Sequence, residues 1–207
     1  KSTLCAVDIL NKATQQRKGP DGKRRTRFAV VRNTYPELKT TTITTWHEIV
    51  PANVGRWVDQ GPQTHHLTGD GLDCEVLFLA LDSPADVRKL LSMNLTGAWV
   101  NEAREVPKAV IDGITGRVGR YPPLSMGGPS WSGVMMDTNP PDTDHWWYTL
   151  AEKDDSTPAG RRLLESVEAR TRLAGSNKME ILLFSLGTRE TFGINVFKVR
   201  EVGRTPH

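Results

Sequence analysis

Four short polar groups in this sequence stand at the ends of apolar runs, and their residue types suit work on a phosphate. Lys1, Ser2 and Thr3 open a helical pattern. A lysine and a hydroxyl at a helix start can meet an anion. The ammonium reaches phosphate oxygens, the hydroxyl binds Mg2+, and the free N–H groups of the first turn face the negative charge. Glu102 follows the apolar run Ala98–Val100 and the polar Asn101. A carboxylate at such a strand tip can orient and activate an attacking water. Asp137, Thr138 and Asn139 close the run Gly133–Met136, where a polar group can sense a γ-phosphate and transmit its loss. Arg32, Asn33 and Thr34 close Phe28–Val31. Plainer readings stand beside these. Lys-Ser-Thr without preceding glycines is an ordinary helix start, Glu102 is a solvated strand-end carboxylate, and Asn-Pro-Pro-Asp is a strong turn signal.

The elements that must carry these groups follow from periodicity. Leu4, Val7, Ile9 and Leu10 predict a helix over residues 2–16, and Gly19–Gly22 a loop. Phe28–Val31 is a short continuous apolar run, as in a strand buried on both faces. Pro36 can start a helix through Leu38, Ile43, Trp46 and Ile49, which stops at Pro51. Gln63–Leu67 and Glu75–Leu81 flank Gly69-Asp70-Gly71, a hairpin signal. Ser83 is an N-cap for a helix carrying Val87, Leu90 and Leu91. Gly97–Val100 is a buried strand, and Val106, Val110, Ile111 and Ile114 predict a helix up to Gly119. Gly133–Met136 is the next buried strand, and Trp146, Trp147 and Leu150 begin a short helix. Strand, polar tip and helix thus repeat, which predicts an α/β fold with a mostly parallel sheet and helices on both faces. Ligands in such sheets bind beyond the carboxyl ends of the strands, so the four polar groups collect at one edge.

Bulk properties narrow the classes. The 207 residues are 37% hydrophobic and 25% charged, a soluble globular composition. A formal net charge of +3 is too small to argue for nucleic acid by itself. Arg17, Lys18, Lys23, Arg24, Arg25 and Arg27 do cluster, either as a solvated loop or as a contact with phosphate backbone. The two cysteines, Cys5 and Cys74, lie in apolar runs and set no disulfide framework, as expected of buried thiols in a reducing compartment. His65 and His66 are adjacent, so on a strand they point to opposite faces and cannot chelate together. No Cys/His spacing suggests zinc. No secretory leader is expected, and no stretch of about 18 apolar residues occurs in these 207 residues. The sequence starts at Lys1 rather than Met, directly in a helical pattern, so upstream residues are expected.

Three segments together carry a resemblance: VVRNTYPELKTTTITTW (30–46), LTGAWVNEAREVPKAVIDGITGRVGRYP (95–122) and GVMMDTNPPDTDHWW (133–147). In order and spacing they resemble the ATPase domain of the large terminase subunit of tailed bacteriophages, the DNA-packaging motor. The likeness runs from Lys1 to about Leu150. It implies a P-loop NTPase of the RecA type, with the first strand and most of the phosphate-binding loop missing and with ATP and Mg2+ as cofactors. On that pattern Lys1 and Ser2 match the end of Walker A, with Thr3 beside them, and Ser2 is a Mg2+ ligand. Asn101 and Glu102 match the end of Walker B. Glu102 is the catalytic carboxylate, and Asn101 stands where an Asp usually holds the magnesium shell, serving through water. Asp137, Thr138 and Asn139 match the motif that couples hydrolysis to motion. Arg32 is placed for a nucleotide contact in cis. Terminases also use an arginine from a neighbouring subunit, for which Arg88 is the first choice and Arg104, Arg117 and Arg120 are alternatives.

The resemblance further implies ATP hydrolysis that drives viral double-stranded DNA into a procapsid. The implied partners are a portal protein, a small terminase subunit and a homo-oligomeric ring, working in the host cytoplasm at the portal vertex. Residues 1–152 form the expected ATPase domain, truncated at its N-terminus and inactive or nearly so as it stands. Residues 153–207 are a C-terminal extension with no nuclease-type acidic cluster. They read as a helix with Leu163, Leu164 and Val167, an apolar strand Ile181–Leu186, and an alternating strand Ile194, Val196, Phe197 and Val199. Two other classes stay open: a degenerate prophage remnant that keeps the fold without binding nucleotide, and another P-loop enzyme such as a helicase.

Overall fold

The computed structural model describes residues 1–81, 84–139, 144–146, 180–186 and 194–201. Its sheet has eight strands: β1 (Arg24–Arg32), β2 (Arg56–Val58), β3 (Thr64–Gly69), β4 (Leu72–Ala80), β5 (Gly97–Val100), β6 (Gly133–Asp137), β7 (Glu180–Leu186) and β8 (Ile194–Glu201). Their spatial order is β2-β3-β4-β1-β5-β6-β7-β8. The pairings from β4 through β1, β5 and β6 to β7 are parallel, while β2–β3, β3–β4 and β7–β8 are antiparallel. The helices are α1 (Ser2–Gln15), α2 (Tyr35–Glu37), α3 (Ile43–Ile49), α4 (Pro84–Leu91) and α5 (Lys108–Thr115). The Ser83 cap, the helix around Leu163–Val167 and the residues Trp147 and Leu150 lie outside the described residues.

Alternation along the central strands sorts side chains into two cores. Phe28 and Val30 of β1, Trp99 of β5 and Met135 of β6 join Cys5, Ile9, Ala13 and Trp46 in one layer. Ala29, Val31, Ala98, Val100, Val134 and Met136 join Leu90, Val110, Ile111 and Ile114 in the other. Residues two apart on a strand share a face, so α1 and α3 cover one face and α4 and α5 the other. The same parity carries past the strand ends. Asn101 follows Trp99 and Asp137 follows Met135 onto the α1 face.

Several boundaries differ from the periodicity reading. The hairpin loop between β3 and β4 is only Asp70 and Gly71, both at positive φ (48° and 78°), the signature of a two-residue turn that keeps the flanking strands in register. The helix expected from Val106 to Gly119 is preceded by a separate 3-10 turn, Ala103–Glu105, and α5 spans only Lys108–Thr115. Strand β2 carries a short pattern that periodicity does not signal. Between α2 and α3 the chain makes a π-helical turn, Leu38–Thr42. The threonine run explains it. Thr40 and Thr41 donate their hydroxyls to the carbonyls of Pro36 and Glu37 (2.8 and 2.6 Å), and such side-chain bonds compete with the helical ladder.

Both cysteines are buried free thiols. Burial pushes Cys74 up to about 12, and burial followed by the nearby Asp137 carboxylate pushes Cys5 well above the ordinary thiol range.

The α1 face also holds an imidazole locked in one form. His65 is fully buried. Trp46 Nε1 donates to His65 Nδ1 at 2.9 Å, and His65 Nε2 donates to the Val54 carbonyl at 2.6 Å. The ring is therefore neutral with its proton on Nε2. Burial lowers its pKa below the ordinary 6.5, and His47 and His66 nearby lower it further. A histidine with a lowered folded pKa binds more protons when unfolded, so stability is full above pH 6.5 and is lost as pH falls from there toward the folded pKa. The melting temperature is accordingly expected to decline as pH falls from 6.5 toward the folded pKa, with a shallower decline in His65→Asn. A flat wild-type profile across that window would contradict the assignment.

Candidate functional site

Two polar tethers hold α1 lengthwise across the sheet. At its C-terminal end Gln16 is buried and donates to the Gly128 carbonyl (2.9 Å), while its Oε1 accepts from Ser130 N and Oγ (3.0 and 2.8 Å). At its N-terminal end Ser2 Oγ donates to Asp137 Oδ2 at 2.7 Å. The first turn of α1 is thereby fixed over the carboxyl ends of β5 and β6.

The contacts there form one connected set. Asn101 Nδ2 donates to Ser2 Oγ (3.1 Å) and to both Asp137 oxygens (2.9 and 3.1 Å). Asn101 Oδ1 in turn accepts from Thr42 Oγ1 at 2.7 Å, which ties the π-helical turn to the strand tip. Trp99 Nε1 and the Glu102 backbone N–H also donate to Asp137 Oδ1, at 3.3 and 3.1 Å. Asp137 and Thr138 are wholly buried, and Asn101 is 4% exposed.

Glu102 sits beside this set in a left-handed conformation, φ 51° and ψ 56°. A non-glycine residue there is uncommon, and such positions concentrate at functional sites. Its Oε2 is buried with no hydrogen-bond partner among the described residues. Lys1 Nζ lies 3.9 Å from Glu102 Oε1 and donates to Asn139 Oδ1 at 2.6 Å. Thr138 Oγ1 accepts from Arg104 N (3.3 Å) and donates to the Asn139 carbonyl (3.2 Å), which holds the segment after β6 against the turn after β5.

The structure thus brings Lys1, Ser2, Asn101, Glu102, Asp137, Thr138 and Asn139 together, as topology predicted. Thr3 is exposed on the first turn of α1. Arg32 is buried at the end of β1, where Nη1 donates to the Asn101 carbonyl (3.4 Å) and pairs with Glu105 (3.2 Å), and Nη2 pairs with Glu37 (3.7 Å). Its Nε has no partner among the described residues. Arg88 is exposed on α4, in the layer opposite α1, and Arg104 and Arg120 are exposed as well. Two contributors escaped the sequence reading: Trp99, hidden as a core residue, and Thr42, one of five threonines between residues 40 and 45.

The basic cluster lies at the other end of the strands, at the start of β1. Arg25 pairs with Asp21 and Asp73 (2.5 and 3.5 Å), Arg27 with Glu75, and Arg24 donates to the Gln16 carbonyl. Arg17, Lys18 and Lys23 are exposed.

Among the described residues no group of three or more His, Cys, Asp or Glu is arranged to hold a metal by itself. A divalent cation would need non-protein ligands in addition to Ser2 and a carboxylate, as one bound through phosphates does.

No protein-family model matches this sequence, and no curated protein matches it. Solved structures do. The large terminase of a thermophilic bacteriophage, in complex with ATP-gamma-S, is similar with a TM-score of 0.53 and 12% identity, over 90% of this chain and 36% of that one. A second crystal form of that terminase gives a TM-score of 0.49 at 13% identity, over 83% of this chain and 36% of that one. Its ADP complex gives 0.46 at 14% identity, over 78% of this chain and 32% of that one. The first of these supports a terminase-like fold, and identity this low shows the fold alone. The chain spans about a third of the length of these structures.

Proposed function

We propose that this chain belongs to a Mg2+-dependent ATPase that drives double-stranded DNA into a viral procapsid. The observation that carries the reading is the junction of Ser2, Asn101, Glu102 and Asp137, with Lys1 reaching over Glu102, at the carboxyl edge of a terminase-like sheet. The structurally similar terminase was crystallised with ATP-gamma-S, which favours a nucleotide as the ligand here.

The residues fit a metal–triphosphate ligand. A buried carboxylate meets a helix N-terminus, a hydroxyl and a lysine, and the first N–H groups of a helix have no carbonyl partner within it and favour an anion. Mg2+ would be held by Ser2 and the phosphates, and it would supply neutralisation of phosphate charge. The chain's own groups do the rest. Lys1 exchanges Asn139 and Glu102 for phosphate oxygens. Glu102 then orients a water and accepts its proton at the carboxylate. Asn139, released by Lys1, and Thr138, bonded across to Arg104 N, give the β6 tip a way to register the change. An arginine delivered from a neighbouring subunit completes charge neutralisation, with Arg88 exposed and able to serve in trans.

On this reading the partners are DNA, a portal protein, a small terminase subunit and further copies of the chain in a ring, at the portal vertex in the host cytoplasm. Asn101 in place of an acid favours the second reading, a remnant that keeps the fold without nucleotide. One experiment decides between them. The full-length gene product is expected to hydrolyse ATP only with Mg2+ and faster with linear double-stranded DNA. Absence of ATP-γ-S binding in that protein would establish the second reading instead.

A further inference from the structure

Asp137 is a wholly buried carboxylate whose hydrogen-bond partners among the described residues are all neutral: the Ser2 hydroxyl, the Asn101 amide, the Trp99 indole and the Glu102 peptide N–H. No Lys, Arg or His forms an ion pair with it among the described residues. Lys1, at the same end of α1 as Ser2, is directed to Asn139 and Glu102 instead. Buried charges are ordinarily paired or bound to a metal. This one is held in place by hydrogen bonds with its charge left for something else.

Asn101 occupies the strand tip where the resemblance puts the metal-shell acid, but its amide is turned the wrong way for that work. Its oxygen is taken by Thr42 at 2.7 Å. Its NH2 faces Ser2 and Asp137, and an amide NH2 can donate a hydrogen bond but offers no lone pair to a cation. The hydroxyl expected to hold the cation donates its proton to Asp137 on the neighbouring strand.

We infer that the carboxylate serving a divalent cation at Ser2 has been transposed from the tip of β5 to the tip of β6, so that Asp137 supplies the charge and Asn101 is the amide that positions it. This rests on the nucleotide reading for the cation's other ligands, but not for the exchange itself. The two tips are laterally paired, Val100 beside Met136. An acid on either one can therefore reach Ser2, provided the other carries a donor. The pair acts as one carboxylate–amide unit, and Asp137 is a positioning residue for the metal rather than part of a mobile coupling element alone.

The test is Mn2+ binding to the full-length gene product, read by electron paramagnetic resonance with and without ATP-γ-S. Asp137→Asn is expected to weaken Mn2+ binding by about 10- to 100-fold, the usual range for a group that supports metal ligands. Metal-free ATP-γ-S binding is expected not to weaken. The exchanged variant, Asn101→Asp with Asp137→Asn, is expected to regain most of the lost Mn2+ affinity, a rescue that a merely structural role for Asp137 does not produce. Should Asp137→Asn fail to fold, Asn101→Asp carries the test. Two adjacent carboxylates lower its melting temperature without metal, and Mn2+ with ATP-γ-S is expected to raise it by more than in the wild type. Unchanged Mn2+ affinity in a folded Asp137→Asn, or an Asn101→Asp no more metal-responsive than the wild type, overturns the transposition. A wild-type protein that binds Mn2+ through Asp137 but no ATP-γ-S leaves it standing and overturns the nucleotide reading.

Discussion

Replacing Glu102 with Gln in the full-length gene product is expected to lower the ATP turnover rate by about 10²- to 10⁴-fold, the range for removing a general base, with nucleotide affinity retained. The substitution preserves size and removes only the charge, so what it reads is proton acceptance. Two features single out this acid. Its backbone is held in the left-handed region, which costs on the order of 1–3 kcal/mol for a non-glycine residue and persists only where the surroundings enforce it. The enforcement is visible: the Glu102 N–H is bonded to Asp137, and the 3-10 turn Ala103–Glu105 starts immediately after. One carboxylate oxygen is buried without a partner among the described residues, although Lys1 lies 3.9 Å from the other. An acid with an unused acceptor is what a water would need. Steady-state turnover at saturating ATP and Mg2+ is the measurement, and wild-type turnover in Glu102→Gln would remove Glu102 from the mechanism.

The edge of the sheet where this chemistry would occur was legible from sequence because it depends on a robust signal. The continuous apolar runs Phe28–Val31, Gly97–Val100 and Gly133–Met136 each end abruptly in polar residues, and they are the three central parallel strands β1, β5 and β6. Polar tips of adjacent parallel strands must be neighbours in space. What the sequence could not reveal is which tip does what. That depends on side-chain direction: the orientation of the Asn101 amide is set by Thr42, and Thr42 is aimed by a π-helical turn that a run of threonines conceals. Arg32 shows the same limit. Its place at a strand end suggested a nucleotide contact, whereas its guanidinium is engaged by Glu37 and Glu105, the second of which lies on an element not predicted as separate. Strand β2 escaped notice because three residues, Arg56–Val58, are too few to show alternation.

Trp99→Ala is expected to be the most damaging single substitution for stability, at about 3–5 kcal/mol, the cost of emptying a large aromatic site in a packed core. For a chain of this size that corresponds to a fall in melting temperature of roughly 6–20 °C. Trp99 is fully buried at the centre of the α1 layer, on the strand between β1 and β6. Its loss would open a cavity bounded on several sides by strands that cannot collapse into it. The indole has a second task, because its Nε1 is one of three donors to Asp137 Oδ1. Trp99→Phe separates the two. It keeps most of the ring volume and removes the donor, so its cost is expected to be smaller, about 1–3 kcal/mol for a buried acceptor that loses a partner. The two variants therefore rank differently by two measurements. In thermal unfolding Ala is far worse than Phe. In Mn2+ affinity of the folded protein, Phe is already impaired, because an Asp137 with one donor fewer is less firmly aimed at Ser2. Equal melting temperatures for the two variants would show that the site is not packed as described. An unimpaired Trp99→Phe in metal binding would show that the indole only fills space. The burial of Trp99 and the aim of Asp137 are thus two consequences of one choice in the sequence: a residue that is apolar on its rings, a donor at its edge, and two positions before the end of its strand.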